Sequence, residues 1–105
     1  MTYKMKDAPR GANQKLHDKY NAVLNTMQPN THHWRLLHWF LNYQKNSADA
    51  GITQKEAHYE LGNTRLSATV WVLRHKYSIP VKDYTKGEPN RYGEQTHFKV
   101  YYLEV

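Results

Sequence analysis

Apolar residues recur at spacings of three and four along most of this chain and change to alternation only after Tyr77, which divides it into a helical part and an extended part. From Asn13 to Met27 the positions Leu16, Tyr20, Val23, Leu24 and Met27 predict an amphipathic helix. Gln28-Pro29 ends it, because the residue before a proline is pushed out of helical geometry. A second helix is expected from about His32 to Tyr43, with Asn30 or Thr31 as its cap. Its apolar arc is wide. Trp34, Leu37 and Leu41 lie together, Leu36, Phe40 and Tyr43 lie beside them, and Trp39 falls further round, leaving Arg35, His38, Asn42 and Lys45 to the polar side. A helix covered on two sides sits centrally, either between its neighbours in one chain or between this core and a second copy. Monomer and dimer are both open.

From Gly51 to Tyr77 the pattern GITQKEAHYELGNTRLSATVWVLRHKY reads as two short helices around a tight turn, a helix-turn-helix. Thr53 and Glu56 have the spacing of a capping box, so a helix starts near Gln54. Leu61 followed by Gly62 ends it, since glycine accepts the left-handed conformation at a helix terminus. Asn63 or Thr64 caps a second helix, Thr64 to Lys76, whose apolar face is Leu66, Val70, Leu73 and Tyr77. Beyond Tyr77, Ile79, Val81 and Tyr84, then Phe98, Val100 and Tyr102, predict two strands joined by the loop GEPNRYGEQ, which presents Arg91 and Tyr92 at its tip. This order is that of a winged helix-turn-helix, an α+β fold that is mainly α. It has a three-helix core, a β-hairpin wing and an extra N-terminal helix. The organisation expected is a basic flexible arm over residues 1–11, the N-terminal helix over 12–29 and the winged domain over 30–105; the polar run from Lys45 to Gly51 is a connection.

Charge adds a direction. Lys and Arg number 15 against 9 Asp and Glu, a formal charge of +6, which draws the chain toward polyanions. Residues 51–105 carry only a small part of that excess, however, so the N-terminal half holds most of it. There is no cysteine, which excludes disulfides and thiolate metal sites and fits a reducing cytosol. Seven histidines are present, yet His32, His33 and His38 lack the i, i+4 spacing of a helical ligand pair and HEXXH is absent, so no metal and no cofactor is expected. No phosphate-binding glycine loop, nucleophile elbow or catalytic cysteine occurs either. An enzyme is not expected. Neither a secretion signal nor about 18 consecutive apolar residues is found, so no membrane association is expected and the cytoplasm is the expected location.

The helix after the tight turn is the candidate recognition element, because the second helix of such a motif enters the major groove of DNA. Its free side carries Thr64, Arg65, Ser67, Ala68, Trp71, Arg74 and His75. Arg65 has the donor geometry for guanine, Thr64 and Ser67 suit phosphates or base edges, and Ala68 suits a thymine methyl. Trp71 is large for that position and also suits packing against the arm, the wing or a partner. Lys82, Lys86, Arg91, Tyr92 and Lys99 on the wing, with Lys55, Arg35 and Lys45 from earlier elements, are candidates for backbone contacts. Glu88 and Glu94 weaken the wing's positive field.

From Gly51 to Leu103 the chain resembles the small winged helix-turn-helix proteins of bacteriophages and prophages. The resemblance lies in GITQKEA, LGNTRLSA, the VLRHKYSIP junction and the NRYGE loop followed by KVYYL. It implies a winged fold and a DNA-binding role, with Thr64, Arg65, Ser67 and Ala68 at the recognition positions. Thr69 departs from the pattern, standing where a basic residue is usual. The expectation is a sequence-specific double-stranded DNA-binding protein, a phage or prophage transcriptional regulator or accessory factor in the bacterial host cytoplasm, with a homodimer through residues 13–43 as an open partner. The alternative is a winged module that grips a host protein such as RNA polymerase or a defence nuclease through Trp71, Tyr92 and Trp39. A virion assembly factor is a third reading.

Overall fold

Four helices and a three-stranded antiparallel sheet make up the residues that the computed structural model describes, 10–45 and 50–104. Helix α1 (Arg10–Thr26) starts before the expected Asn13 and so takes in the end of the segment expected as an arm; residues 1–9 of that arm lie outside the described residues. Leu16, Tyr20, Leu24 and, just beyond the helix, Met27 are buried, and α1 lies along α2 (His32–Tyr43). Thr31 is the cap of α2, its Oγ1 accepting from the Trp34 N–H at 3.3 Å. Asn30 is instead a turn residue with φ of 71°, and its Oδ1 accepts from Arg35 Nε.

Helix α2 is central. Leu36, Leu37, Trp39, Phe40 and Leu41 are all buried, covered by α1 on one side and by α3 (Gln54–Leu61) and α4 (Leu66–Lys76) on the other. Its wide apolar arc is therefore satisfied within one chain, and the reason for expecting a second copy against it falls away. Gln44, at the end of α2, is buried and pairs with Leu103 in both directions: its Oε1 accepts from the Leu103 N–H at 2.8 Å and its Nε2 donates to the Leu103 carbonyl at 2.7 Å. A buried amide must find such partners, since an unmade hydrogen bond away from water is costly.

The capping box of α3 forms as its spacing predicts, with the Thr53 Oγ1 accepting from the Glu56 N–H and the Glu56 carboxylate from the Thr53 N–H. Gly62 closes α3 with φ of 65°, in the left-handed region where side chains are strained. The start of α4 departs from expectation. The helix begins at Leu66, not Thr64, and Arg65 stands at its cap position with no side-chain cap bond. Neither Asn63 nor Thr64 is the cap. Gln54 Oε1, from the first turn of α3, accepts from the Leu66 N–H at 2.7 Å, and buried Asn63 accepts from the Arg65 N–H and donates to Thr69 Oγ1. Side chains from the preceding helix and turn thus meet the free amides that a local cap meets elsewhere.

The sheet has the order β1-β3-β2, formed by β1 (Ile52–Thr53), β2 (Lys82–Pro89) and β3 (Gln95–Tyr102). Two residues are too few to show a period, so β1 escapes a reading of the sequence. It pairs Ile52 with Tyr101 and Thr53 with Val100. Gly51 permits that approach: a Cβ there would lie 2.5 Å from Val100 Cγ1 and 2.7 Å from the Tyr101 carbonyl oxygen. Strand β2 begins at Lys82, so Ile79 and Val81 are not strand residues. Both are buried, and the Ile79 N–H donates to the Leu73 carbonyl at the end of α4. The hairpin loop is also shorter than the expected nine-residue stretch. Pairing extends to Pro89 opposite Gln95, which leaves Asn90 to Glu94 as the turn; Pro89 is tolerated because β2 is an edge strand. The arrangement is compatible with a winged helix.

Candidate nucleic-acid interface

Leu66, Val70 and Leu73 turn α4 inward, and Thr69 is buried with them, bonded to Asn63. That contact explains the departure at Thr69, since a charged side chain there would enter the core. Ser67, Ala68, Trp71 and His75 are left exposed on the outer side, with Thr64 and Arg65 exposed just before the helix. No carboxylate lies on α4. Trp71 is 59% exposed, and its ring leans on that of His75 with centroids 4.8 Å apart.

Arg74 is drawn elsewhere. Its Nη2 donates to Asp83 Oδ2 and its Nε to the Val81 carbonyl, both at 2.9 Å, while its guanidinium lies over the Tyr101 ring. It ties the end of α4 to the base of the hairpin rather than facing outward. The hydrogen bond from Arg74, supported by Lys99, holds the Asp83 carboxyl below the usual carboxylate range. Arg35 is likewise structural, donating from Nη1 to the Leu61 carbonyl at 3.0 Å and so serving the free end of α3.

The wing cations have carboxylates beside them. Lys82 lies 2.6 Å from Glu104, an arrangement that raises the lysine's pKa and lowers the glutamate's through their hydrogen bond. Lys99 lies 3.7 Å from Asp83, and Lys86 lies 3.8 Å from Glu88. Such exposed pairs are weak and yield readily to a stronger anion. Arg91 and Tyr92 are exposed in the turn, which Asn90 shapes by accepting from the Tyr92 and Glu94 N–H groups.

Tertiary structure brings five of the expected contacts together. Lys45, Lys55, Ser67, Lys86 and Lys99 line one groove of about 750 Å³ between the start of α3, the start of α4 and the sheet. Of its acidic members, Glu56 is held in the capping box and Glu88 stands near Lys86. Tyr84 and Phe98 form part of its wall, a role that the sequence reading missed. Strand alternation is the signal that finds it: Tyr84 and Lys86 share a sheet face with their cross-strand partners Val100 and Phe98. Gln54, whose side chain accepts from the Leu66 N–H, has no local pattern that marks it, whereas Asn63, expected as the cap, acts on the Arg65 N–H and Thr69 instead.

Among the described residues, no group of three or more His, Asp or Glu is placed to hold a metal ion, and no helix is long and apolar enough to cross a membrane. Compared with known proteins, the chain matches no family model, no curated protein and no solved structure.

Proposed function

We propose that this chain is a winged helix-turn-helix protein that binds double-stranded DNA in sequence-specific fashion, a phage or prophage regulator or accessory factor acting in the cytoplasm of a bacterial host. The observation that carries the reading is the groove where Lys45, Lys55, Ser67, Lys86 and Lys99 meet, next to the exposed start of α4. A helix free of carboxylates, flanked by lysines from α3, from both hairpin strands and from the end of the α2 segment, suits a major groove between two phosphate strands. Arg65 is the donor for a base edge, and Arg91 at the wing tip reaches the adjacent backbone. Two copies on a two-fold site, pairing through what residues 13–43 leave exposed, belong to this reading.

Mobility-shift titration of mixed-sequence and phage-genomic duplexes with the full chain tests it. Binding is expected at about 50 mM salt, where phosphate attraction is strong; no shift at that salt sinks the proposal. Replacing Arg65 is expected to relax sequence preference, whereas replacing Arg91 weakens all sequences alike. Equal, sequence-blind losses at both positions contradict these roles.

A second reading, a module that grips a host protein, loses Trp39, which is buried, but is favoured by the exposed Trp71 at 59% and Tyr92 at 77%, by Tyr59 at 80%, and by the acidic neighbours of the wing lysines. A stoichiometric protein captured from nuclease-treated host lysate, without DNA binding, decides for it.

A further inference from the structure

We propose, on the footing of the DNA-binding reading above, that α4 selects its site chiefly by apolar contact with pyrimidine C5-methyl groups, through Trp71 and Ala68. The donors that would read bases by hydrogen bonding are few on this helix. Arg74 is engaged with Asp83 and the Val81 carbonyl and Thr69 is buried, which leaves Arg65, at the cap position, as the arginine of this segment placed for a base edge. Beyond Ser67, α4 offers outward Ala68, Trp71 and His75, with Lys76 exposed only at its far end.

In the major groove the thymine methyl is the apolar feature of a base pair. Ala68 and Trp71, three residues apart, are neighbours on the helix surface and are offset by about 4.5 Å along its axis. One continuous apolar patch therefore spans both side chains, enough for it to meet more than one methyl-bearing pyrimidine in the groove. His75 supports the indole from behind at 4.8 Å, which limits the rotamer freedom lost on contact. DNA, rather than a protein, is the occupant that the charge favours: Lys55 on α3 and Lys86 and Lys99 on the sheet border the start of the same helix, placed to take phosphates while α4 meets the bases.

Duplexes selected from a random pool by the full chain are compared with the same duplexes carrying uracil for thymine, which removes only the methyl. Weakening of about fourfold per contacted methyl is expected, and 5-methylcytosine in place of thymine at those positions, each opposite guanine, should retain more affinity than cytosine does. Trp71→Ala is expected to abolish most of the thymine-over-uracil difference, and Trp71→Phe to keep part of it. Equal binding of thymine and uracil duplexes, or a uracil penalty that persists unchanged in Trp71→Ala, overturns the proposal while leaving DNA binding intact. Absence of any DNA binding overturns the underlying function as well. A Trp71-dependent protein partner without retained DNA assigns this face to protein and also overturns it.

Discussion

Asn63 is a polar residue buried in the turn between α3 and α4, where its amide supports both the Arg65 N–H and Thr69 Oγ1. Asn63→Ala removes both bonds and leaves groups that water reaches poorly, so a loss of about 1–3 kcal/mol in urea unfolding is expected. Its neighbour Gly62 makes a contrasting case. A Cβ there meets nothing closer than Arg35 Nη1 at 3.7 Å, so Gly62→Ala costs only the left-handed backbone strain, about 1–2 kcal/mol by the same measurement. Gly62 is legible in the sequence because its reason is local. Asn63 has the local look of a helix cap, yet its partners, the Arg65 N–H and Thr69 Oγ1, are chosen by how two helices meet.

At the scale of elements, the hairpin is fixed to α4 through Arg74, Asp83 and the overlying Tyr101. The Asp83 carboxyl is depressed in the folded chain, so the stability it contributes is present above the ordinary carboxylate pKa and is lost as pH falls through the folded value. Asp83→Asn is expected to flatten the acid limb of a stability–pH profile. Helices α1 and α2 meet at another titrating contact. His38 stacks on Trp34 with centroids 4.7 Å apart, and burial first, then His17, lowers its pKa; burial with Lys76 and His32 does the same for His33. A histidine held neutral stabilises the fold above its ordinary pKa of 6.5 and ceases to do so as pH falls toward the lowered value. Urea midpoints should therefore drop between about pH 7.5 and pH 5.5, and His38→Gln should reduce that drop; an unchanged drop in the variant refutes the assignment to His38.

The whole molecule is organised around α2, whose Leu36, Leu37 and Phe40 are completely buried. Leu36→Ala is expected to cost about 2–5 kcal/mol, a large part of the stability of a chain this small, and thermal or urea unfolding measures it. The four helices and the hairpin were legible in the sequence because the 3.6-residue and two-residue periods, the capping box and the Gly62 stop are properties of short segments. The same segments determined which residues of α4 face outward, apart from Arg74, whose long side chain reaches back to a carboxylate on a strand. Tertiary structure decided the remainder: the pairing of β1, the first turn of α4, the ion pairs of the wing and the groove where lysines from separate elements converge. Each of these depends on residues far apart in sequence coming within a few ångströms, and pairing, burial and charge compensation act on distance in space. The sequence by itself determined the elements and their faces; what those faces meet was decided only when the chain closed on α2.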